Sequence, residues 1–403
     1  MVPEGWKVAT IEDIAQVTSG GTPSRKNDNF WGGDIPWVTT AEVQSNVIDD
    51  TAEKITEAGL KSSSAKLFPV NTLLIAMYGQ GKTRGKIAKL GIEAATNQAC
   101  AAIIVKNEHH VDYYFQFLSG QYENLRDLSN DGGQKNLSAG IIKTFSVPVP
   151  PLPEQKKIAQ ILSTWDKAIT TTEQLLANSQ QQKKALMQQL LTGKKRLLDD
   201  NGVRFSREWR ETSIEEMGKV VSGGTPDTNN KDYWDGGIQW LTPTDVTALR
   251  SRFVNKTTRT ISESGVKNSS AAILPKGSLM VCTRATIGAL AISTTETCTN
   301  QGFKNIIPSK GFEVEFIYYA MVFNTKELLR KASGSTFLEL SKKDFEKIKI
   351  KSPLLAEQQK IAAVLTTADQ EIDSLQQKIE ALKQEKKALM QQLLTGKRRV
   401  KLN

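Results

Sequence analysis

The block Lys-Lys-Ala-Leu-Met-Gln-Gln-Leu-Leu-Thr-Gly-Lys occurs twice, letter for letter, at Lys183–Lys194 and Lys386–Lys397. The copies lie 203 positions apart in a chain of 403 residues. A chain duplicated in this way has to build two similar halves, each ending on the same segment. From upstream of each block and on into it, mostly apolar residues recur at alternating steps of four and three. In the first copy the positions are Ile158, Leu162, Trp165, Ile169, Thr172, Leu176, Ser179, Lys183, Leu186 and Leu190. In the second they are Ile361, Leu365, Ala368, Ile372, Leu375, Ile379, Leu382, Lys386, Leu389 and Leu393, in the same register. This heptad seam predicts two long helices that pair as an antiparallel left-handed coiled coil. Neither segment has an interior proline or glycine, and Gly193 and Gly396 stand where a C-terminal cap belongs. At 1.5 Å per residue, roughly 40 residues make a rod of about 60 Å. Polar seam members such as Thr172, Ser179 and Lys183 weaken the pairing but can fix its register.

The fold class expected is α+β, a pseudo-two-fold tandem repeat in which two similar globular domains are separated by the two helices. The segments are 1–150, 151–198, 199–352 and 353–403. Trp6 to Ile11 aligns with Trp209 to Ile214, and Ser19-Gly-Gly-Thr-Pro23 with Ser222-Gly-Gly-Thr-Pro226. Phe30 to Trp37 aligns with Tyr233 to Trp240, and Thr96-Asn97-Gln98 with Thr299-Asn300-Gln301. Gly-Gly-Thr-Pro reads as a tight turn whose threonine hydroxyl caps locally. Short strands are expected at Leu67–Ala76 and Ile273–Cys282, helices at Val111–Leu118 and Val314–Val322. Val147–Pro153, rich in proline, reads as a stiff extended link into the first helix.

The composition bounds function. A net charge of +10 favours a polyanionic partner. Three cysteines without metal spacing suit a reducing cytoplasm, and two adjacent histidines, His109 and His110, make a zinc site or a triad hard to build. No apolar run approaches 18 residues, so no membrane span is expected, and the polar N-terminus does not resemble a signal peptide. Ala76 to Thr83 fits a loose phosphate-binding loop. Such a loop must open a helix, whereas Arg84 to Ala88 reads as the return strand of a hairpin, so the nucleotide reading is rejected. Loss of ATP binding on Lys82→Ala would revive it. No catalytic motif survives, and the chain is expected to bind and position while others do the chemistry.

The candidate DNA-binding residues sit on basic and amide-rich loops. In the first half they are Ser24, Arg25 and Lys26; Tyr78, Gln80, Lys82, Thr83, Arg84 and Lys86; and Gln134, Lys135 and Asn136. In the second half they are Thr228, Asn229 and Lys231; Thr283 and Arg284; and Ser335, Thr336, Lys342 and Lys343. Arginine matches guanine edges and Asn or Gln adenine edges, while Lys, Ser and Thr mostly hold phosphate. Asn97-Gln98 and Asn300-Gln301 recur in both halves, which suits a scaffold cap better than sequence reading. The outward positions Lys184, Gln188 and Gln189, repeated as Lys387, Gln391 and Gln392, are identical although burial does not demand it. Identical surfaces at two places suggest docking of two copies of one partner. Divergent loops on a shared scaffold suggest two ligand specificities.

The order of a globular domain, Pro-Leu-Pro-Glu-Gln-Lys-Lys-Ile-Ala (151–159) leading to the block, a second domain and Ala-Glu-Gln-Gln-Lys-Ile-Ala (356–362) leading to its copy resembles the specificity subunit of type I restriction–modification systems. The resemblance covers essentially the whole chain. It implies two target-recognition domains, each reading half of a bipartite, asymmetric site on double-stranded DNA. It also implies two modification subunits that methylate adenine with S-adenosylmethionine, and two restriction subunits driven by ATP and Mg. No cofactor is expected in this chain. The helices would then act as a ruler spanning on the order of 15–18 base pairs, and removing one heptad would shift a reader by about 10 Å. The competing reading is a coiled-coil DNA-bridging protein without enzyme partners.

Overall fold

The computed structural model describes residues 2–79, 82–128, 136–332 and 339–402. The chain divides into two compact units, Met1–Glu173 with Gln377–Asn403, and Gln174–Gln376. Two helices of 39 residues, Leu152–Leu190 and Leu355–Leu393, each contribute to both units. The units therefore cut across the four contiguous segments expected from the sequence.

Each unit repeats one sheet plan. In the first, the five-stranded sheet runs Ala15–Ser19, Cys100–Val105, Leu73–Ala76, Ile87–Leu90, Val47–Ile48. In the second it runs Gly218–Ser222, Phe303–Pro308, Leu279–Cys282, Leu290–Ser293, Phe253–Val254. The last strand of each is parallel to its neighbour and the others are antiparallel. The middle strand of each sheet, Leu73–Ala76 and Leu279–Cys282, is apolar at every position because both of its faces are covered. Leu73 and Ile75 face the core under the helices, whereas Leu74 and Ala76 face a second core. Leu279 and Val281 against Met280 and Cys282 repeat the division.

A smaller sheet carries the tryptophans. Trp31–Val38 pairs antiparallel with Glu53–Ile55 and parallel with Ala94–Thr96. Trp234–Leu241 pairs in the same way with Arg259–Ile261 and Thr297–Thr299. The strand Ile87–Leu90 returns antiparallel to Leu73–Ala76, so the segment after Lys82 leads into a strand and the phosphate-loop reading falls. Helices form at Val111–Gly120 and Val314–Phe323, as the pattern predicts. The Pro-rich link is not free-standing: Ser146–Val149 pairs with Lys7–Thr10 as an edge strand, where a proline lacking its N–H is tolerated.

Within each unit the long helices lie side by side and antiparallel. In the first, Lys386 Nζ reaches Asp166 at 2.5 Å and Lys383 reaches Glu173 at 2.6 Å. In the second, Lys183 pairs with Asp369, and Ser179 donates to Glu371 at 3.0 Å. Numbers rise on one helix as they fall on the other. The seam is inside: Ile158, Leu162, Thr172, Ser179, Ile361, Leu365 and Ile379 are all buried. Lys183 and Lys386, polar intrusions in the heptad pattern, form two of these ion pairs. Each helix ends on a glycine with φ +70°, Gly193 and Gly396, and the amides of Lys195 and Arg398 reach back to the carbonyls of Gln189 and Gln392. That conformation is costly for any residue with a Cβ, which is why the helix stops there.

Candidate nucleic-acid interface

Three loops that are far apart in sequence meet in each domain. In the first, the amide of Met77 donates to the Ala99 carbonyl at 2.8 Å and that of Leu137 to the Met77 carbonyl at 3.1 Å. In the second, Thr283 donates to Gly302 at 2.8 Å and Leu340 to Thr283 at 2.9 Å. The hairpin, the Asn-Gln segment and the chain at Leu137 and Leu340 are thereby fixed at one place. A fourth segment is latched on: Thr22 Oγ1 donates to Gln98 Oε1 at 2.5 Å, and Thr225 makes the same bond to Gln301.

The Gly-Gly-Thr-Pro segment forms no turn, and its threonine reaches a residue 76 positions away instead of capping locally. Its glycines are needed for close approach. A Cβ on Gly20 would fall 1.9 Å from the Thr96 carbonyl oxygen, and one on Gly223 would fall 2.0 Å from that of Asn300. The Asn-Gln pairs are scaffold: Asn97 Oδ1 accepts the Ala99 amide and Asn300 Oδ1 that of Gly302.

Behind each latch lies a pair of tryptophans packed edge to face, Trp31 with Trp37 and Trp234 with Trp240, the ring centroids 5.0 Å apart in both. The indole N–H of Trp37 donates to Gly21 and that of Trp240 to Gly224, each at 3.0 Å. A guanidinium covers each pair. Arg25 lies 3.7 Å from the centroid of Trp31, and Arg259 lies 3.5 Å from that of Trp234. Arg25 is held by both oxygens of Glu53, the Nη2–Oε2 distance being 2.9 Å. This bonding raises the guanidinium pKa and holds the Glu53 carboxyl below its ordinary range.

The other candidates divide by what their side chains do. Ser24, Lys26, Tyr78, Lys82, Thr228, Asn229, Lys231, Lys342 and Lys343 are exposed, Lys342 within 3.5 Å of Glu346. Asn136 and Thr83 are half-buried. Arg84 donates to the Arg126 carbonyl at 3.1 Å and Lys86 to Gln44, so both brace the hairpin. Arg284 lies in an antiparallel bridge to Glu339. Thr283 does not face outward: it is fully buried and its hydroxyl donates to the Gly302 carbonyl at 3.2 Å, because this position builds the junction of the loops. Gln80, Gln134, Lys135, Ser335 and Thr336 lie outside the described residues. Arg259 was not among the sequence candidates. The available signal was a charge swap between the halves, Arg25 with Glu53 against Thr228 with Arg259.

The long helices are clamped to the domains by residues the heptad pattern does not mark. Glu154, 4% exposed, accepts from Trp6 Nε1 at 3.3 Å and Arg399 Nε at 2.9 Å. Glu357, 2% exposed, accepts from Trp209 Nε1 at 3.2 Å and Arg196 Nε at 2.7 Å. The neighbouring Gln155 and Gln358 are buried and accept the amides of His110 and Glu313. Leu190 and Leu191 enter the core of the second unit, and Leu393 and Leu394 that of the first. Packing therefore accounts for about half of the duplicated block. Lys184, Gln188, Gln189, Lys387, Gln391 and Gln392 are exposed, and among the described residues none of their side chains is hydrogen-bonded or ion-paired.

Burial pushes the thiols up, Cys100 to about 12 and Cys282 and Cys298 to about 11, so all three stay protonated at neutral pH. Among the described residues no group of His, Cys, Asp or Glu is arranged to hold a metal ion, and no helix is long and apolar enough to cross a membrane.

The family model for the type I restriction modification DNA specificity domain matches residues 3–178 and again 206–384. The type I restriction enzyme MjaIX specificity subunit of Methanocaldococcus jannaschii is 40% identical over 175 residues, covering 42% of this chain and 40% of that one. The putative MjaX specificity subunit of the same organism is 24% identical across 99% of this chain and 95% of its own length. Among solved structures, the S subunit of a type I restriction–modification system from M. genitalium superposes with a TM-score of 0.62 at 15% identity, over 98% of this chain and 96% of that one.

Proposed function

Because this chain belongs to the type I restriction modification DNA specificity family, we propose that it is the subunit that selects the DNA sequence on which partner enzymes act. Each half reads one part of a bipartite, asymmetric site on double-stranded DNA. Modification subunits carrying S-adenosylmethionine methylate adenine within it, and ATP- and Mg-dependent restriction subunits act from the same address. The chain itself binds and positions.

One observation carries this reading. Both domains bring the same four segments to one place by the same hydrogen bonds, yet put different side chains on them. A common frame with unlike surfaces suits two readers of unlike half-sites, since base edges are told apart by side chains and not by frames. The exposed Lys-Gln-Gln sets at 184, 188 and 189 and at 387, 391 and 392 are identical where packing does not require it, which suits docking of two like partner subunits. The experiment is affinity purification of the tagged chain from its host together with methylome sequencing of cells with and without it. A co-purifying methyltransferase and a bipartite methylated motif lost on deletion are expected. A chain that purifies without an enzyme and leaves the methylome unchanged refutes the reading.

A further inference from the structure

We infer that Arg259 is a DNA-contacting residue of the second domain, its guanidinium laid on Trp234 and offering its N–H edge to two adjacent acceptors on the duplex. The inference rests on the reading proposed above and names one side chain that makes the contact. The two tryptophan pairs are alike in geometry, so the guanidinium over each can be compared directly. In the first domain it comes from the loop after Gly-Gly-Thr-Pro, and Glu53 occupies both terminal nitrogens. Glu53 stands on the strand opposite Trp37, and Arg259 stands opposite Trp240 in the matching register. Thr228 takes the place of Arg25, 203 positions on. The second domain thus keeps a guanidinium on its tryptophans, delivers it from the strand and dispenses with the carboxylate.

The result is a cation with its donors unspent. Among the described residues, the Arg259 side chain has no hydrogen bond or ion pair, and it is exposed while Trp234 and Trp240 are 8% and 5% exposed. Stacking fixes the plane of the guanidinium, so less side-chain freedom is lost when a ligand binds its edge. The indole N–H of Trp234 donates to the Asp227 carbonyl at 3.1 Å, which holds the stacked pair beside the loop bearing Asn229 and Lys231. That loop follows the segment latched to Gln301. The fork therefore borders the junction of the loops. Two side-by-side acceptors that match it are O6 and N7 of guanine, or two oxygens of a phosphate.

The test uses the full chain assembled with its modification subunits and a duplex carrying the motif methylated by the wild-type complex. Affinity is measured at several salt concentrations for wild type, Arg259→Ala and Arg259→Lys, with the melting temperature of each. Arg259→Ala is expected to weaken binding about tenfold or more, and Arg259→Lys, which keeps the charge but not the fork, to recover only part of it. Where alanine lowers the melting temperature, the lysine variant decides. Loss of discrimination at one G·C pair in a single half-site identifies a base edge. Uniform weakening with a salt slope lower by about one identifies a phosphate. Both variants binding within twofold of wild type, with an unchanged motif, would overturn the inference while leaving the proposed function standing. A wild-type complex that binds no duplex would sink that function and the inference with it.

Discussion

The first and second domains solve two local problems with the same kinds of residue placed at different points of the chain. Over the tryptophans, Arg25 comes from a loop and leans on Glu53, while Arg259 comes from the strand itself. Beside the long helices, Lys89 on strand Ile87–Leu90 reaches Asp112 at 2.5 Å in the first domain. In the second, Arg252, ahead of the neighbouring strand Phe253–Val254, reaches Glu315 at 2.8 Å. The sites persist and the donor residues migrate. Energetics explain the tolerance. The Arg25–Glu53 pair, with side chains 52% and 40% exposed, contributes on the order of 0–1 kcal/mol. Exchanging it for a stacked arginine therefore changes surface charge at little cost in stability. Domains built this way can alter what they present to DNA while the frame below stays fixed.

The clamps under the helices offer the largest test of how alike the halves are. Arg196→Ala leaves Glu357 buried with only the indole of Trp209, and should cost about 3 kcal/mol, read by calorimetry of the full chain. Arg399→Ala should cost less, because the Arg399 side chain is 43% exposed against 19% for Arg196, so water replaces more of the lost bond. Equal losses would mean that burial does not set the strength of the clamp. Next come the glycines. Gly20→Ala and Gly223→Ala, at equivalent positions, meet the carbonyl oxygens of Thr96 and Asn300, and each should destabilise its own unit by about 1–3 kcal/mol. A difference of more than about 1 kcal/mol between them would show that the two frames are less alike than their hydrogen bonds suggest.

The smallest expected effect is one of pH. Burial lowers the pKa of His109 and His110, despite the nearby carboxylates of Glu108 and Asp112. Phe312 and Glu313 stand at these places in the second half. A histidine whose folded pKa lies below its unfolded one binds protons more readily when unfolded. It is neutral in both states above about pH 6.5, and folding is penalised as pH falls below that value. Exchange protection of helix Val111–Gly120, corrected for intrinsic rate, should therefore drop more than that of Val314–Phe323 between pH 7.5 and 5.5. An equal drop would remove the histidines from the account.

Much of the frame is legible in the sequence because it is periodic or repeated. The heptads mark both long helices, the hairpin shows in Leu73–Ala76 and Ile87–Leu90, and the duplication pairs the domains. The features that stay hidden depend on partners far along the chain. Glu154 and Arg399 are 245 positions apart, and no local pattern connects them. Gly-Gly-Thr-Pro looks like a turn because its composition is that of turns, yet its glycines serve the approach of Thr96 and its threonine serves Gln98. Thr283 looks like a hydroxyl for phosphate and is instead a buried strut. Arg259 looks like any strand arginine until the tryptophans beneath it are seen.

Because Trp6 and Leu162 share their core with Leu393 and Leu394, and Glu154 is held by Arg399, an earlier-synthesised part of the chain is completed by a part that follows residue 376. Residues 174–376 can settle while the ribosome is still extending the tail, but the earlier domain must wait with part of its apolar base uncovered. Interrupted translation then leaves a finished second unit attached to an unfinished first one, and quality control would meet exposed surface upstream of residue 174 rather than at the break.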